Sequence, residues 1–336
     1  MEYTTLGKTG LKISRLGFGG IPIQRIDAEG TGKLIDKMLE AGINYIDTAR
    51  AYTVSEEYLG KALKGRRDQF VLATKCRAES KEQFAAGIDL SLKMLQTDYI
   101  DLYQFHNPSV ADFEAIIAPG GALEAMLEAK EAGKIGHIGI TAHSLEVFRR
   151  ATEQDWVETI MFPYNIVESQ GEELIKVCQE KNIGFIDMKP LAGGAIEDAE
   201  LALRYVFSNP AVTVAIPGMA SMEELEQNIK ASSNTAPLTE AEQKACEEIR
   251  SALGNDFCRR CNYCAPCTVG ISIPSVFLFA GYLERYNLAG WAKDRYNSLA
   301  VKADACVECG ECEPRCPYHL PIREKLKKVA EEFASR

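Results

Sequence analysis

The sequence predicts an α/β fold, a (β/α)8 barrel of the TIM class, followed by a small helical domain rich in cysteine. Two observations predict it. Short apolar runs alternate with amphipathic stretches eight times over about 220 residues, which matches the period of such a barrel. Beyond them, eight of the 11 cysteines fall in two runs near the carboxyl terminus. A chain of 336 residues, 46% of them hydrophobic, has room for one large and one small domain.

The first element is a hairpin, because YTTLGKTGLKISRLGFGG alternates polar and apolar residues around Gly7 and Gly10. Strands are then expected at LGFGG, INYID, FVLATK, DYIDLYQFH, HIGIT, TIMFPYN, IGFIDMKP and VTVAIPG. Helices are expected between them, at stretches such as TGKLIDKMLEAG, KEQFAAGIDLSLKML, GALEAMLEAKEAG and GEELIKVCQEKN. A doubly wound sheet is the rival architecture. It would have a GxGxxG loop after its first strand, and LGFGGIPIQ lacks that spacing.

The pattern breaks at SSNTAPLTE, where Thr239 can cap a new helix. We therefore predict a barrel domain over residues 1–235 and a helical domain over residues 236–336. Apolar residues between the two cysteine runs recur at helical spacing. This part is similar to the helical ferredoxin-like module in the iron-sulfur subunits of respiratory reductases.

The cysteine spacing indicates iron-sulfur clusters. The second run reads C-x2-C-x2-C-x3-C-P, the bacterial 4Fe-4S pattern, in which the fourth cysteine ligates the other cluster. The first run departs from it, with an x2 gap before its last cysteine and Thr268 after it. Two zinc sites of four thiolates each are the alternative. If cross-ligation holds, one cluster takes Cys258, Cys261, Cys264 and Cys316, and the other takes Cys267, Cys306, Cys309 and Cys312.

Composition argues against several other classes. The net charge is −10 and no stripe of Lys or Arg is present, so nucleic acid is not an expected partner. No apolar run is long enough to cross a membrane, and MEYTTLGKTG is not a signal segment. We therefore expect a cytoplasmic protein, in whose reducing environment clustered cysteines bind metal rather than form disulfides.

Four titratable or hydrogen-bonding residues stand at or just after predicted strand ends, where barrel enzymes carry their catalytic side chains. Asp47 ends INYID, Tyr52 follows it, Lys75 ends FVLATK and His106 ends DLYQFH. Each has an ordinary structural explanation when it is taken singly. Asp47 could cap a helix, Lys75 could be a surface charge and His106 could be a satisfied core histidine. Their joint occurrence favours an active site.

Residues 1 to 235 resemble the aldo-keto reductases. The C-terminal part is similar to a branch of that family that carries ferredoxin-like cysteines. The resemblance rests on Asp47-Thr48-Ala49 with Tyr52, on Ala73-Thr74-Lys75, and on Asp101-Leu102-Tyr103 leading to His106.

The resemblance implies a role for each of the four residues in reducing a carbonyl. Negative charge develops on the carbonyl oxygen as hydride arrives, and an acid must protonate it. Tyr52 is the expected acid, and a neighbouring Lys75 ammonium would lower its pKa by stabilising the phenolate. Asp47 would hold Lys75 in place. His106 would orient the substrate carbonyl by hydrogen bonding.

The nicotinamide end of the expected cofactor site departs from the family pattern. Family members hold the carboxamide with a serine-asparagine pair and a glutamine, and the matching positions here are Thr141, Ala142 and Met161. Met188 stands in place of the tyrosine that stacks on the nicotinamide. A thioether can pack on a ring, but less rigidly than an aromatic side chain does.

The part of the family pattern that binds the adenosine is partly present in this sequence. Ile216-Pro217-Gly218 and Asn228 match the segment that grips the adenosine phosphate, so Pro217, Gly218 and Asn228 are candidate cofactor-binding residues. Gly218 and Glu224 occupy positions where basic residues neutralise a 2′-phosphate in the family. The sequence therefore does not predict a strong preference for NADP.

Electron counting suggests a further cofactor. A nicotinamide moves two electrons as a hydride, whereas a cluster passes one electron at a time. A flavin such as FMN could convert between them, so we expect NAD(P)H or a flavin in the barrel. The predicted function is an oxidoreductase that interconverts a carbonyl and an alcohol, or a related group, with two 4Fe-4S clusters relaying electrons.

An acidic electron carrier, a ferredoxin or flavodoxin, is the expected protein partner, and it would dock on a basic spot such as Arg259 and Arg260. Two alternatives stay open. One is an ordinary NAD(P)H-dependent aldo-keto reductase with structural clusters. The other is a non-enzymatic redox sensor.

Overall fold

A computed structural model describes residues 1–77, 80–254, 256–260 and 262–335. The chain divides into two units. The first consists of Met1–Leu191 and Asp198–Thr239. The second consists of Ala192–Glu197 and Glu240–Arg336, so a short segment from within the barrel sequence groups with the cysteine-rich part.

The expected hairpin opens the first unit. Strands β1 (Tyr3–Thr5) and β2 (Lys12–Ser14) pair antiparallel. Gly10 has φ +73°, which only glycine adopts at little cost. Leu6, between the two strands, is fully buried in the apolar cluster inside the barrel. Gly184 leaves room for it, since a Cβ there would lie 2.7 Å from Leu6 Cδ1. The hairpin therefore contributes an apolar plug to the barrel interior.

Eight parallel strands in sequence order form the sheet, as predicted. Backbone bridges from Leu16 to Ala215 and from Gly19 to Gly218 join the first strand to the region of the last. The fold is thus of the TIM-barrel class, in which catalytic side chains lie at the carboxyl ends of the strands. The strands are β3 (Phe18–Gly19), β4 (Tyr45–Asp47), β5 (Val71–Cys76), β6 (Ile100–His106), β7 (Ile135–Thr141), β8 (Thr159–Pro163), β9 (Gly184–Met188) and β10 (Val214–Ile216).

In the part of the first unit that the structure describes, nine α-helices accompany the strands, and side-chain caps define where many of them begin. The Asp27 carboxylate accepts from Gly30 N at 2.7 Å, and Gly42 in the left-handed conformation ends the same helix. The helices are α1 (Ala28–Ala41), α2 (Ser55–Ala62), α3 (Lys81–Leu95), α4 (Val110–Ile117), α5 (Ala122–Glu131), α6 (Leu145–Ala151), α7 (Glu172–Glu180), α8 (Ala199–Phe207) and α9 (Met222–Ser232).

Side-chain alternation along the strands separates two apolar layers. On β5, Leu72 joins the cluster between sheet and helices, whereas Ala73 joins the cluster inside the barrel. Successive side chains point to opposite faces, so Lys75 points inward like Ala73. The same alternation on β6 turns Gln104 and His106 inward, above Leu102. The carboxyl end of the barrel interior is therefore polar while its middle is apolar.

Over its described residues, the second unit consists of four α-helices around a small core. Its core contains Cys264, Cys312 and Cys316 together with apolar side chains such as Phe277 and Leu326. The Tyr296 and Phe333 rings stack at 4.0 Å between centroids. The helices are α10 (Glu240–Leu253), α11 (Ile273–Glu284), α12 (Ala289–Asn297) and α13 (Ile322–Ser335).

Within the described residues, no helix combines the length and the apolar character that crossing a bilayer requires.

Candidate functional sites

A buried ion pair lies at the carboxyl end of the barrel interior. Lys75 is 2% exposed, and its Nζ donates to Asp47 Oδ1 and to the Thr48 carbonyl oxygen, the latter at 2.8 Å. Burial lowers the pKa of Lys75 and raises that of Asp47, and the contact between them opposes both shifts. Each charge thus stabilises the other in a place where neither would be stable alone.

Gln104 completes this pair and was not predicted. Its Nε2 donates to Asp47 Oδ2 at 3.0 Å, and its side chain is fully buried. Gln104 lies opposite Lys75 in the pairing of β5 with β6. A signal was available in the sequence, since Gln104 stands two residues before His106 on the same predicted strand and therefore shares its face. Gln104 holds the second carboxylate oxygen, so Asp47 presents the first one to Lys75.

Tyr52 and His106 lie beside the ion pair. Lys75 Nζ is 4.9 Å from the centre of the Tyr52 ring. The Tyr52 and His106 rings meet edge to face, with their centroids 6.0 Å apart. The loop that carries Tyr52 is fastened by Ser55, whose Oγ contacts Thr48 Oγ1 at 2.7 Å and donates to the Gly20 carbonyl at 3.0 Å. The four residues singled out in the sequence therefore converge.

A second buried carboxylate neighbours the site and was also not predicted. Glu56 is 1% exposed, and its Oε1 accepts from Thr74 Oγ1 at 2.7 Å. Its Oε2 accepts from Arg50, which leaves the Glu56 carboxylate paired. Glu56 also acts on Lys75 through space, favouring its charged form. Two carboxylates therefore support the Lys75 ammonium inside the protein.

The residues expected at the nicotinamide end have different surroundings. Thr141 ends β7 beside His106, and its Oγ1 accepts from Asn107 N at 2.9 Å. Ala142 is buried in the layer between sheet and helices. Met161 is buried inside the barrel, and Met188 is a half-buried residue against the same interior cluster. Of these four, Thr141 brings a hydroxyl and Met188 brings a partly accessible thioether.

At the end where the adenosine is expected, the segment after β10 packs closely on β3. Gly19 N donates to the Pro217 carbonyl at 3.0 Å. A Cβ on Gly218 would lie 2.6 Å from the Pro22 ring, so glycine is required at this exposed position. Asn228 on α9 is 4% exposed.

Glu224, one of the two positions where the family carries cations, has partners of its own. Its Oε2 accepts from Ala220 N at 2.6 Å, and Arg25 Nη2 lies 3.3 Å from its Oε1. A carboxylate can accept from a ribose hydroxyl but repels a phosphate.

The cysteines line two small cavities in the second unit, each of about 20 Å³. Each cavity combines cysteines of one run with a cysteine of the other run, as cross-ligation would require. Cys261 lies outside the described residues. Such a set of thiols around a cavity fits a cluster, whose four irons each take one thiolate. Cys258, Cys264 and Cys316 line one cavity, and Cys267, Cys306, Cys309 and Cys312 line the other.

The two cavities differ in exposure. Cys264 and Cys316 are buried, whereas Cys309 is exposed. Thr268 Oγ1 lies 3.2 Å from Cys309 Sγ, and this hydrogen bond is the main cause of a lowered Cys309 pKa. Over the described residues, no three Cys, His, Asp or Glu side chains converge on a single-ion site.

One expectation about docking is wrong. Arg259 is 6% exposed, and its guanidinium carbon stacks 3.8 Å from the centre of the Tyr318 ring. It therefore cannot form a basic surface spot with Arg260. The sequence misled here because a charged residue in a polar loop is usually solvated, while this loop folds over the cysteine cavity.

Comparison with known proteins identifies both parts. Residues 15–200 and 196–251 match the aldo/keto reductase family, and residues 257–321 match the 4Fe-4S dicluster domain, which decides against zinc. L-galactose dehydrogenase of Arabidopsis thaliana is 27% identical over 75% of this chain and 94% of its own length. The NADH-specific methylglyoxal reductase of Escherichia coli is 32% identical over 58% of this chain and 69% of its own.

Solved structures support the same family assignment. The holo form of an aldo-keto reductase from Bacillus halodurans superposes with a TM-score of 0.66 at 28% identity, covering 74% of this chain and 96% of that one. A putative aldo-keto reductase from Pseudomonas aeruginosa superposes with a TM-score of 0.63 at 29% identity, covering 69% and 94%. The chain belongs to the aldo/keto reductase family and is an oxidoreductase with a 4Fe-4S dicluster domain in its carboxyl-terminal region.

Proposed function

We propose that the barrel interconverts a small-molecule carbonyl and its alcohol, with Tyr52 as the proton donor and acceptor. One observation carries the proposal: the buried Lys75 ammonium lies 4.9 Å from the centre of the Tyr52 ring. A cation this close to the ring stabilises the phenolate relative to the phenol. Asp47 and Gln104 keep the ammonium in place.

The proton balance follows from these positions. In the reducing direction a nicotinamide bound in the barrel would supply a hydride to the carbonyl carbon, and the Tyr52 hydroxyl would give its proton to the carbonyl oxygen. Tyr52 is left as a phenolate, which the Lys75 charge stabilises until a proton arrives from water. His106, edge to face with Tyr52, is placed to hold the substrate oxygen by a hydrogen bond. In the oxidising direction the same groups act in reverse.

The barrel residues partly fit a nicotinamide nucleotide. Thr141 and Met188 would face its reactive ring, and Pro217, Gly218 and Asn228 would hold its adenosine phosphate. The Glu224 carboxylate suits a ribose hydroxyl better than a 2′-phosphate, so we propose NADH rather than NADPH as the preferred nucleotide.

The clusters add a second proposal, that the protein transfers single electrons. A bound nicotinamide would supply a hydride, a bound flavin would exchange it for single electrons, and the two clusters would carry those electrons. Cys258, Cys261, Cys264 and Cys316 would hold one cluster, and Cys267, Cys306, Cys309 and Cys312 the other. The exposed Cys309 edge would face the protein carrier, a ferredoxin or flavodoxin.

The test is an anaerobic purification followed by iron, sulfide and flavin analysis and an electron paramagnetic resonance spectrum before and after NADH. We expect about eight irons for two 4Fe-4S clusters, a releasable flavin, and clusters that NADH reduces. The relay is refuted if the clusters stay oxidised with NADH and also with a reduced ferredoxin. Carbonyl reduction is scored separately, with Tyr52→Phe as the inactive control.

An ordinary NADH-dependent reductase with structural clusters is the second candidate. The similarity to a protein named NADH-specific methylglyoxal reductase and the carboxylate at Glu224 favour it. It predicts full turnover with NADH alone and no change in the cluster spectrum during turnover.

A further inference from the structure

The first run of cysteines departs from the 4Fe-4S pattern at its last member. Cys267 is followed by Thr268, whereas Cys316, the last cysteine of the second run, is followed by Pro317. A proline at this place offers no hydrogen-bond donor, because its backbone nitrogen carries no hydrogen. A threonine offers both a backbone N–H and a hydroxyl group. The departure therefore adds a donor at the end of the first run.

The Thr268 hydroxyl reaches a cysteine of the other run. Its Oγ1 lies 3.2 Å from Cys309 Sγ, and both residues line the cavity that Cys267 also lines. A hydroxyl could accept a hydrogen bond from a free thiol, but a cysteine that binds iron is a thiolate and has no hydrogen to donate. With a cluster bound, Thr268 is therefore the donor and the Cys309 sulfur is the acceptor.

Contacts on both sides of Thr268 hold its segment in place. The Pro266 carbonyl oxygen accepts from Arg315 Nη1 at 2.8 Å, and the same guanidinium pairs with Glu311 of the second run at 3.1 Å. Beyond Thr268, a backbone hydrogen bond of 3.0 Å from Gly270 N closes a turn. The hydroxyl is therefore carried by a segment whose backbone is tied to the second run of cysteines.

A hydrogen bond to a ligand sulfur changes how easily a cluster is reduced. Reduction adds one electron to a cluster that is already negatively charged with its four thiolates. The hydrogen bond stabilises the more negative, reduced state more than the oxidised state, so it raises the reduction potential. Water also reaches Cys309, which is exposed. The expected contribution is therefore the net gain of one fixed donor over mobile water.

We propose that the Thr268 hydroxyl donates a hydrogen bond to the Cys309 thiolate and thereby raises the reduction potential of the cluster that Cys309 ligates. Thr268 is a positioning residue, which acts through Cys309 and makes no bond to iron. Among the described residues that line the other cavity there is no serine or threonine, so only one of the two clusters should respond. The proposal concerns the cluster alone and stands whether or not electrons reach the barrel.

The test is a potentiometric titration of the anaerobically purified full-length protein with dithionite as the electron donor, followed by electron paramagnetic resonance. Thr268→Val removes the hydroxyl and nearly keeps the side-chain volume, and we expect one of the two midpoint potentials to fall. At the wild-type midpoint, the ratio of reduced to oxidised cluster should be about threefold to tenfold lower. This change corresponds to a fall of about 28–59 mV for one electron.

Two further variants serve as controls. Thr268→Ser keeps a hydroxyl at the same place, and we expect both of its midpoints to stay near the wild-type values. Ser272→Ala removes a hydroxyl elsewhere in the same unit, one that meets the Ser275 hydroxyl at 2.8 Å. We expect both of its midpoints to be unchanged.

Three results overturn the proposal. The first is a Thr268→Val protein that carries wild-type iron and has unchanged midpoints. The second is an equal fall in both midpoints, which would show a general loosening of the unit. The third is a Thr268→Ser protein whose midpoint falls as far as that of Thr268→Val, because the hydroxyl would then not be the cause.

A loss of the cluster from Thr268→Val is resolved with Thr268→Ala, which also lacks the hydroxyl and occupies less space. A lowered midpoint in the alanine variant supports the proposal, and a wild-type midpoint refutes it. If the alanine variant also loses the cluster, Thr268 serves to retain the cluster and not to set its potential, and the proposal fails.

Discussion

The barrel site and the cysteine cavities are assembled in opposite ways. Each cavity draws most of its cysteines from one run of neighbours in sequence, such as Cys306, Cys309 and Cys312. The barrel site joins Asp47, Lys75 and His106 from three different strands. Cluster ligands come mostly from a local spacing of cysteines, whereas a barrel site forms only where a folded sheet aligns its strand ends. The cavities should therefore depend on iron, and the barrel site on packing.

Removing iron should have the largest effect on structure, and the effect should differ between the two units. The core of the second unit includes cysteines, so chelation leaves buried thiols without the bonds that hold them together. We expect the segment around the cysteines to lose its protection from hydrogen exchange while strands β4 to β6 keep theirs. Equal loss of exchange protection in both units would contradict the view that only the cysteine-rich unit depends on iron. Rebuilding the clusters with iron and sulfide should restore the original exchange pattern.

Tyr52→Phe should then give the largest loss of catalysis without loss of structure. Removal of a general acid typically costs about 10²- to 10⁴-fold in rate. The ring and its contact with His106 stay, so the thermal stability and the cluster spectrum should be unchanged. Steady-state kinetics with an aldehyde substrate measures the effect. A variant that keeps its full rate would remove Tyr52 from the mechanism and bring back a non-enzymatic role for the barrel.

Lys75→Met tests how far the barrel site is held by its own ion pair. Removing one partner of a buried pair leaves Asp47 charged and uncompensated, which typically costs about 3–5 kcal/mol in the free energy of unfolding. Lys61→Met is the matched control, since Lys61 pairs with Glu57 at 2.6 Å on an exposed helix face. Its expected cost is about 0.3–0.5 kcal/mol. Denaturant titration of both variants, at equal iron content, measures the two losses in the free energy of unfolding. Equal losses would show that the buried pair is no more important than the exposed one.

Glu158→Gln should have the smallest effect, and one that depends on pH. Burial raises the pKa of Glu158, but hydrogen bonds from His137, Lys130 and the backbone outweigh it and bring the pKa to about 2. A depressed carboxyl pKa stabilises the folded state above the ordinary value of about 4.5 and loses that contribution as pH falls toward 2. Wild type should therefore exceed the variant in stability at pH 7, and the gap should narrow below about pH 4.5.

The enzymatic activity of Glu158→Gln tests whether the two ends of the barrel are coupled. Glu158 immediately precedes β8 and so lies at the amino ends of the strands. Tyr52 follows β4 and lies at the opposite, carboxyl end of the barrel. We expect wild-type kcat and KM for Glu158→Gln at pH 7. A large fall in kcat with unchanged stability would mean that the two ends are coupled.

The sequence by itself predicted the order of strands and helices and the place of Asp47, Lys75 and His106 at strand ends. Periodicity and spacing are local properties, and both can be read along one chain. Only the tertiary structure decided that Gln104 holds Asp47, that Glu56 is buried beside Lys75, and that Arg259 lies in a cavity wall. Burial decides whether a polar side chain is solvated or forms part of a site, and burial depends on neighbours that lie far apart in the sequence.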